Sequence, residues 1–362
     1  MGQKNFKKKQ FKIKKSNTNQ SNINQSNKNQ LKINQTINQS NINQLNINQL
    51  EINQSKINYL KYNSSIKAHK DWIKSVKILP SGNIISVSDD CSIKIFNRLN
   101  YKIIQNIENA HKNSIINLFI KDENNFATCS DDKCINIWIK KENEFILNRS
   151  IINAHNERVT NLIYLLNDNI ISCSNDSTIK IWELHNNKYQ SLTFIKINYN
   201  NFDNYINSLL LLEDKNILVS SGYNGTIIWK IYEKGMNIEF IYCFKEAFGG
   251  CWNGLKRIDD DRIIVGGEIS LKIISIKEMK IIKSIEIPFR CNGIITIEEK
   301  GIFLMGGWST DILIYRNDNY ECLSRISNAH NNYIVGLCEL KNGLLLSFSG
   351  DKTMKIWSLN IK

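Results

Sequence analysis

Histidine, serine and aspartate together can build a hydrolytic site, in which an imidazole takes a proton from a hydroxyl and a carboxylate orients the imidazole. This chain of 362 residues carries that trio four times: His69, Ser88 and Asp90; His111, Ser130 and Asp132; His155, Ser174 and Asp176; His330, Ser349 and Asp351. In every copy the aspartate follows the histidine by 21 residues, and the serine stands two before the aspartate. A catalytic cleft needs one such constellation, not several at a fixed repeat. The trios are therefore read as structural, and the chain as not an enzyme. Zinc is read out on related grounds, because the histidines belong to different repeats and none of the nine cysteines forms a C-x-x-C pair. Cys129 and Cys173 fall in apolar strands as small hydrophobes. The cysteines are expected to be free, reduced thiols, and no cofactor is expected.

The elements that carry the trios repeat with them. Each copy opens with Ala-His and closes with an aromatic 27 residues after the histidine: Phe96, Trp138, Trp182 and Trp357. Between Trp182 and His330 lie three degenerate copies, visible at SSGYNGTIIWKI, GGEISLKIISI and GGWSTDILIYR. In register their closing positions are Lys230, Ile274 and Tyr315, and the steps between all seven are 42, 44, 48, 44, 41 and 42 residues. That is the period of a four-stranded propeller blade. Within a unit, an apolar strand such as SVKIL leads through a turn (PSGN, NDN, KNG) into a β-branched strand (IISVS, IISCS). A tight turn at the aspartate and an alternating strand (SIKIF, TIKIW) follow, then a fourth strand that opens near an aromatic: Tyr101, Phe145 or Tyr320. The fold class expected is all-β, a seven-bladed β-propeller of four-stranded antiparallel blades with a disordered N-terminal tail.

Tyr59 stands ten residues before His69, the place of Tyr101 and Tyr320, so residues 59–64 read as a fourth strand with no blade of its own upstream. The chain stops five residues after Trp357 and leaves the seventh blade one strand short. The N-terminal strand is expected to complete that blade and remove two exposed sheet edges. The domains follow as 58–362 for the propeller and 1–57 for a lysine-rich, Asn/Gln-rich low-complexity tail. Residues 1–58 hold ten lysines and one acidic residue, a net of +9 out of +13. Their five-residue Asn/Gln/Ile/Ser repeat matches neither helix nor strand periodicity and buries too little to order itself. The cluster Lys7, Lys8, Lys9, Lys12, Lys14 and Lys15 invites nucleic acid or acidic membrane, but a solvated extension is the favoured reading. No apolar run of 18 residues and no secretory signal appear. A cytoplasmic location, or a nuclear one, is expected.

The repeat resembles the WD-repeat family over residues 59–362. The resemblance implies a hydrogen-bonded His, Ser, Asp and Trp network inside each blade, complete in His111, Ser130, Asp132 and Trp138, in the set ending at Trp182, and in the set ending at Trp357. Blade one has Phe96 and so no indole donor; blades four to six have no histidine and are expected to be the softer side. It also implies partner binding on the face of the tight turns and Ala-His loops. The positions there are three and five after the histidine and one before the aspartate: Trp72, Lys74 and Asp89; Ser114, Ile116 and Asp131; Arg158, Thr160 and Asn175; Tyr333, Val335 and Gly350. Tyr205, Tyr223, Arg290 and Trp308 fall near equivalent places in the degenerate blades. The lipid-binding Phe-Arg-Arg-Gly motif is reduced to Phe289-Arg290-Cys291-Asn292, and the Trp-Asp-x-Arg signature of ubiquitin-ligase receptors is replaced by FNRL, WIKK, WELH and WSLN. The leading expectation is a monomeric, non-catalytic scaffold for other proteins or peptides, with no small-molecule substrate. The competing ones are a ubiquitin-ligase substrate receptor lacking the usual signature, and tail-mediated association with nucleic acid or membrane.

Overall fold

The structure is a computed structural model. It describes residues 59–360, apart from Leu166, 198–204, Asn224, 233–236 and 248–252. The expectations for residues 1–57 lie outside the described residues.

Seven four-stranded antiparallel sheets are present among the described residues. Their first strands are Ile73–Ile78, Ile115–Ile120, Val159–Tyr164, Ile206–Leu212, Leu255–Arg257, Cys291–Ile297 and Ile334–Glu339. Each of these packs against the first strand of the next sheet, and Ile334–Glu339 packs back on Ile73–Ile78, so they line the axis of a closed ring. The second strands are buried on both faces, as in Ile84–Ser88 and Ile170–Ser174, which explains their unbroken apolar and small-residue runs. The outermost strands, such as Ile103–Ile107 and Lys280–Glu286, are largely exposed.

The core is a set of apolar layers, each shared by neighbouring blades. Ile85, Val87 and Ile93 of blade one, for example, pack with Ile115, Phe126 and Trp138 of blade two. Inter-blade burial of this kind makes each blade depend on the next. The ring closes as the chain ends suggested. Leu60–Lys67 pairs antiparallel with Thr353–Leu359, running from Leu60 opposite Leu359 to Lys67 opposite Thr353. Leu60 is buried there, and Tyr62 meets the Trp357 ring edge-on at 5.7 Å.

Blade four departs from the expected register. In the other blades a bulge between third and fourth strands falls at the closing residue, such as Ile181/Trp182 or Ile314/Tyr315. In blade four it falls at Ile228/Trp229, so Trp229, not Lys230, takes the closing position. The turn before it is one residue shorter: Gly222 already pairs with Gly225. Counting 27 residues from a missing histidine could not detect that deletion.

Candidate functional site

The polar groups inside the blades come first, because they set the loops that form the face. In blade two, Asp132 bonds His111 Nδ1 at 2.9 Å and accepts the backbone N–H groups of Lys112 and Cys134 at 2.9 and 3.0 Å. His111 Nε2 lies 2.8 Å from Thr128 Oγ1, which accepts Trp138 Nε1–H at 2.9 Å. A neutral imidazole protonated on Nδ1 satisfies every member. The same chain runs through His155, Ser172 and Trp182, and through His330, Ser347 and Trp357. Blade one stops at His69 and Ser86, since Phe96 supplies no indole donor.

The hydroxyl in this network differs from the expected one. Ser88, Ser130, Ser174 and Ser349 do not join histidine to tryptophan. They donate to loop carbonyls, as Ser130 does to Ser114 at 2.8 Å, and accept the backbone N–H of the aspartate at about 3.0 Å. Alternation along a strand explains the division. Residues two apart share a face, and the one nearer the strand end reaches the loop while the inner one reaches the ring nitrogen. The inner hydroxyl stands 17 residues after each histidine, a spacing present in the sequence but masked by its switching between serine and threonine.

Burial lowers the His69, His155 and His330 imidazoles from their ordinary value against the opposing pull of their aspartates. Burial also pushes the aspartates up, but the histidine and backbone N–H bonds, joined by a hydroxyl bond in all but Asp132, outweigh it. The Asp90, Asp176 and Asp351 carboxyls end below the ordinary range, and Asp132 at about 2. The histidine-free blades use other pairs: Ser221 with Thr226, Ser275 with Asp261, and Asp311 with Arg325 at 2.7 Å.

One backbone bond defines the face in six blades. The N–H of the turn residue donates to the carbonyl of the residue just before the first strand: Asp89 to Trp72, Asp131 to Ser114, Asn175 to Arg158 and Gly350 to Tyr333. Tyr223 to Tyr205, at 3.2 Å, and Trp308 to Arg290, at 2.8 Å, repeat it. The degenerate-blade residues are thus true equivalents of those in the regular blades.

Their side chains form a continuous belt. Tyr205 meets Tyr223 edge-on at 5.9 Å, and Arg290 lies 6.0 Å over Tyr223 and 5.0 Å over Trp308. Trp308 stacks on Tyr333 at 5.5 Å, and Tyr333 meets Trp72 at 6.1 Å. Trp72 lies over Gly350, where an added Cβ would come within 3.2 Å of its ring. Lys74 sits 5.2 Å from the Trp72 centroid and 3.0 Å from Asp89, which also accepts the Ser114 hydroxyl. Arg158 pairs with Asp131 at 3.3 Å. Trp308, Tyr223 and Tyr333 remain 54%, 43% and 38% exposed. Asn175 is half-buried beside Arg158.

Three expected contact residues are corrected by burial. Ile116, Thr160 and Val335, five after their histidines, are closed between blades, and Thr160 donates to the Ile206 carbonyl of the next blade. The bulge at the start of the first strand in these three blades turns this position inward, as between Val159 and Asn161. Lys74 is buried too but keeps its ammonium at the belt.

The belt therefore has two arcs. One is aromatic and cationic, from Tyr205 to Trp72; the other is a run of ion pairs, Lys74 with Asp89 and Arg158 with Asp131. Both offer contact surface and hydrogen-bonding groups. Residues 60–97, 102–138 and 148–183 each match the family model described as WD domain, G-beta repeat. A segment of 80 residues is 39% identical to Lissencephaly-1 homolog 1 of Paramecium tetraurelia, covering 21% of this chain and 19% of that protein. The match thus spans about a fifth of the relative's length.

Proposed function

Because this chain belongs to the WD-repeat family of β-propellers, we propose that it is a non-catalytic scaffold seating a protein or peptide partner on the aromatic arc of its turn face. WD-repeat propellers generally mediate protein–protein interactions and are generally non-catalytic. The observation that carries the reading is the unbroken run Tyr223, Arg290, Trp308, Tyr333 and Trp72, three of whose aromatics remain exposed. Tryptophan, tyrosine and arginine dominate interface energies. Here stacking already restrains them, so ordering them on binding costs little.

The test is affinity purification of the full chain beside Trp308→Ala and Trp72→Ala. Loss of the same partners from both variants, with unchanged melting temperature, supports the arc. Partners that survive both substitutions but vanish on removal of residues 1–57 would overturn it in favour of tail-mediated binding. Co-purifying ligase subunits would identify the scaffold as a ubiquitin-ligase substrate receptor.

A further inference from the structure

We infer that the central channel is an anion site, in which Lys77 and Lys256 together with the side-chain amides of Asn117 and Asn161 hold a small phosphate-type anion. The channel cavity has a volume of about 240 Å³, and the first strands of blades one to five contribute to its wall. That is well above the roughly 15 Å³ needed for a single water.

The lysines are not demanded by the fold. Lys77 pairs with Ile85 and Lys256 with Ile264, the same register position on their first strands. The other blades place Phe119, Ile163, Leu210, Ile295 and Cys338 there. An apolar side chain therefore serves the architecture at this level, and two cations are an addition. Neither ammonium has an ion-pair or hydrogen-bond partner among the described residues. Burial, and then the charge of Lys77, brings the Lys256 ammonium down to about 7; burial lowers Lys77 as well. Cys338 shares the level, but burial pushes its thiol up to about 12, so it supplies no counter-charge. Glu213, a carboxylate on the cavity wall, is exposed and pairs with neither lysine among the described residues. Two like charges in a confined channel, with no ion-pair partner among the described residues, are costly, and a bound anion removes that cost.

The amides complete the donor set. Asn117 and Asn161 are nine-tenths buried or more, and both line the cavity. Each carbonyl oxygen accepts the backbone N–H of the following residue at 2.8 Å. That bond fixes which end of the amide is which and leaves both NH₂ groups without a partner among the described residues. Ammonium and amide N–H groups can only donate, and the unprotonated oxygens of a phosphate group accept.

The experiment is calorimetric titration and thermal melting of the full chain with orthophosphate or pyrophosphate, against sodium chloride at matched ionic strength. Lys77→Met, Lys256→Met and Trp308→Ala accompany the wild type. Orthophosphate should bind and raise the wild-type melting temperature above the chloride control, with affinity falling at least tenfold in either lysine variant and unchanged in Trp308→Ala. Tighter binding of pyrophosphate would indicate a polyphosphorylated ligand, and equal or weaker binding a single phosphate group. Both methionine variants should fold, because apolar side chains fill this position in five other blades. Without phosphate they should melt at or above the wild type, since a like charge is gone. No binding by the wild type, or equal binding by wild type and lysine variants, would overturn the inference; the latter would assign the anion to lysines elsewhere. Trp308→Ala separates this outcome from any failure of the turn-face proposal.

Discussion

Thr128 serves two rings with one oxygen. It accepts the Trp138 N–H and lies within hydrogen-bond distance of His111 Nε2, so a single hydroxyl couples the third strand of its blade to the Ala-His loop. Replacing it by valine keeps the shape but leaves both ring nitrogens without their partner in a buried site. A stranded buried polar group costs about 1–3 kcal/mol. Thr128→Val should therefore lose stability on that order in urea denaturation, while Thr128→Ser should retain most of it. Ser130→Ala should behave differently, since Ser130 binds loop backbone and touches neither ring. This residue also marks what the sequence makes legible. The serine two before each aspartate is the same in all four copies, whereas the network hydroxyl changes once, as Ser86, Thr128, Ser172 and Ser347. Chemical equivalence was hidden by a change of residue name.

The strand Leu60–Lys67 belongs by sequence to the start of the propeller and by pairing to its last blade. Its register covers the face of Thr353–Leu359, with Leu60 buried and Tyr62 against Trp357. Removing residues 1–57 leaves every one of these pairs in place and should hardly move the melting temperature. Removing residues 1–66 strips all but the last pair and exposes an apolar edge strand. That second truncation should lower the melting temperature sharply and remove hydrogen-exchange protection from residues 353–359. Equal melting of the two truncations would refute the shared-blade closure. Element boundaries were legible wherever the histidine-to-aromatic spacing held. They slipped in blade four, where a turn shortened by one residue moved the closing position to Trp229. Burial slipped at Ile116 and Thr160 because a bulge reverses strand alternation, and a bulge has no residue signature here.

Across the whole molecule the histidine–aspartate pairs act together on acid stability. Asp90, Asp132, Asp176 and Asp351 are held below the ordinary carboxyl value of about 3.9, so their contribution is present above that pH and is lost as pH falls through the folded values. His69, His155 and His330 are lowered from about 6.5, so the unfolded chain takes up those protons first and stability falls as pH drops below that value. Both sets act in the same direction. Melting temperature should decline from about pH 6.5 downward, first through the histidines and then, near and below pH 4, through the carboxyls. His155→Gln should flatten part of the upper step. The channel, by contrast, could not be read along the chain, because Lys77 and Lys256 meet only once the ring has closed and nothing in the repeat marks either one.

That closure also decides how the ring answers tension. Leu60 faces Leu359 at one end of the seam, and Lys67 faces Thr353 at the other. The two ends of the described chain, Tyr59 and Asn360, therefore lie together at one corner of one blade, where the Asn360 N–H donates to the Tyr59 carbonyl at 2.8 Å. A pull applied through them does not shear the seven paired positions at once. It loads the outermost pair, then the next, as tape lifts from its free end. The joint that holds the ring shut against heat is the one a tug on the chain peels first.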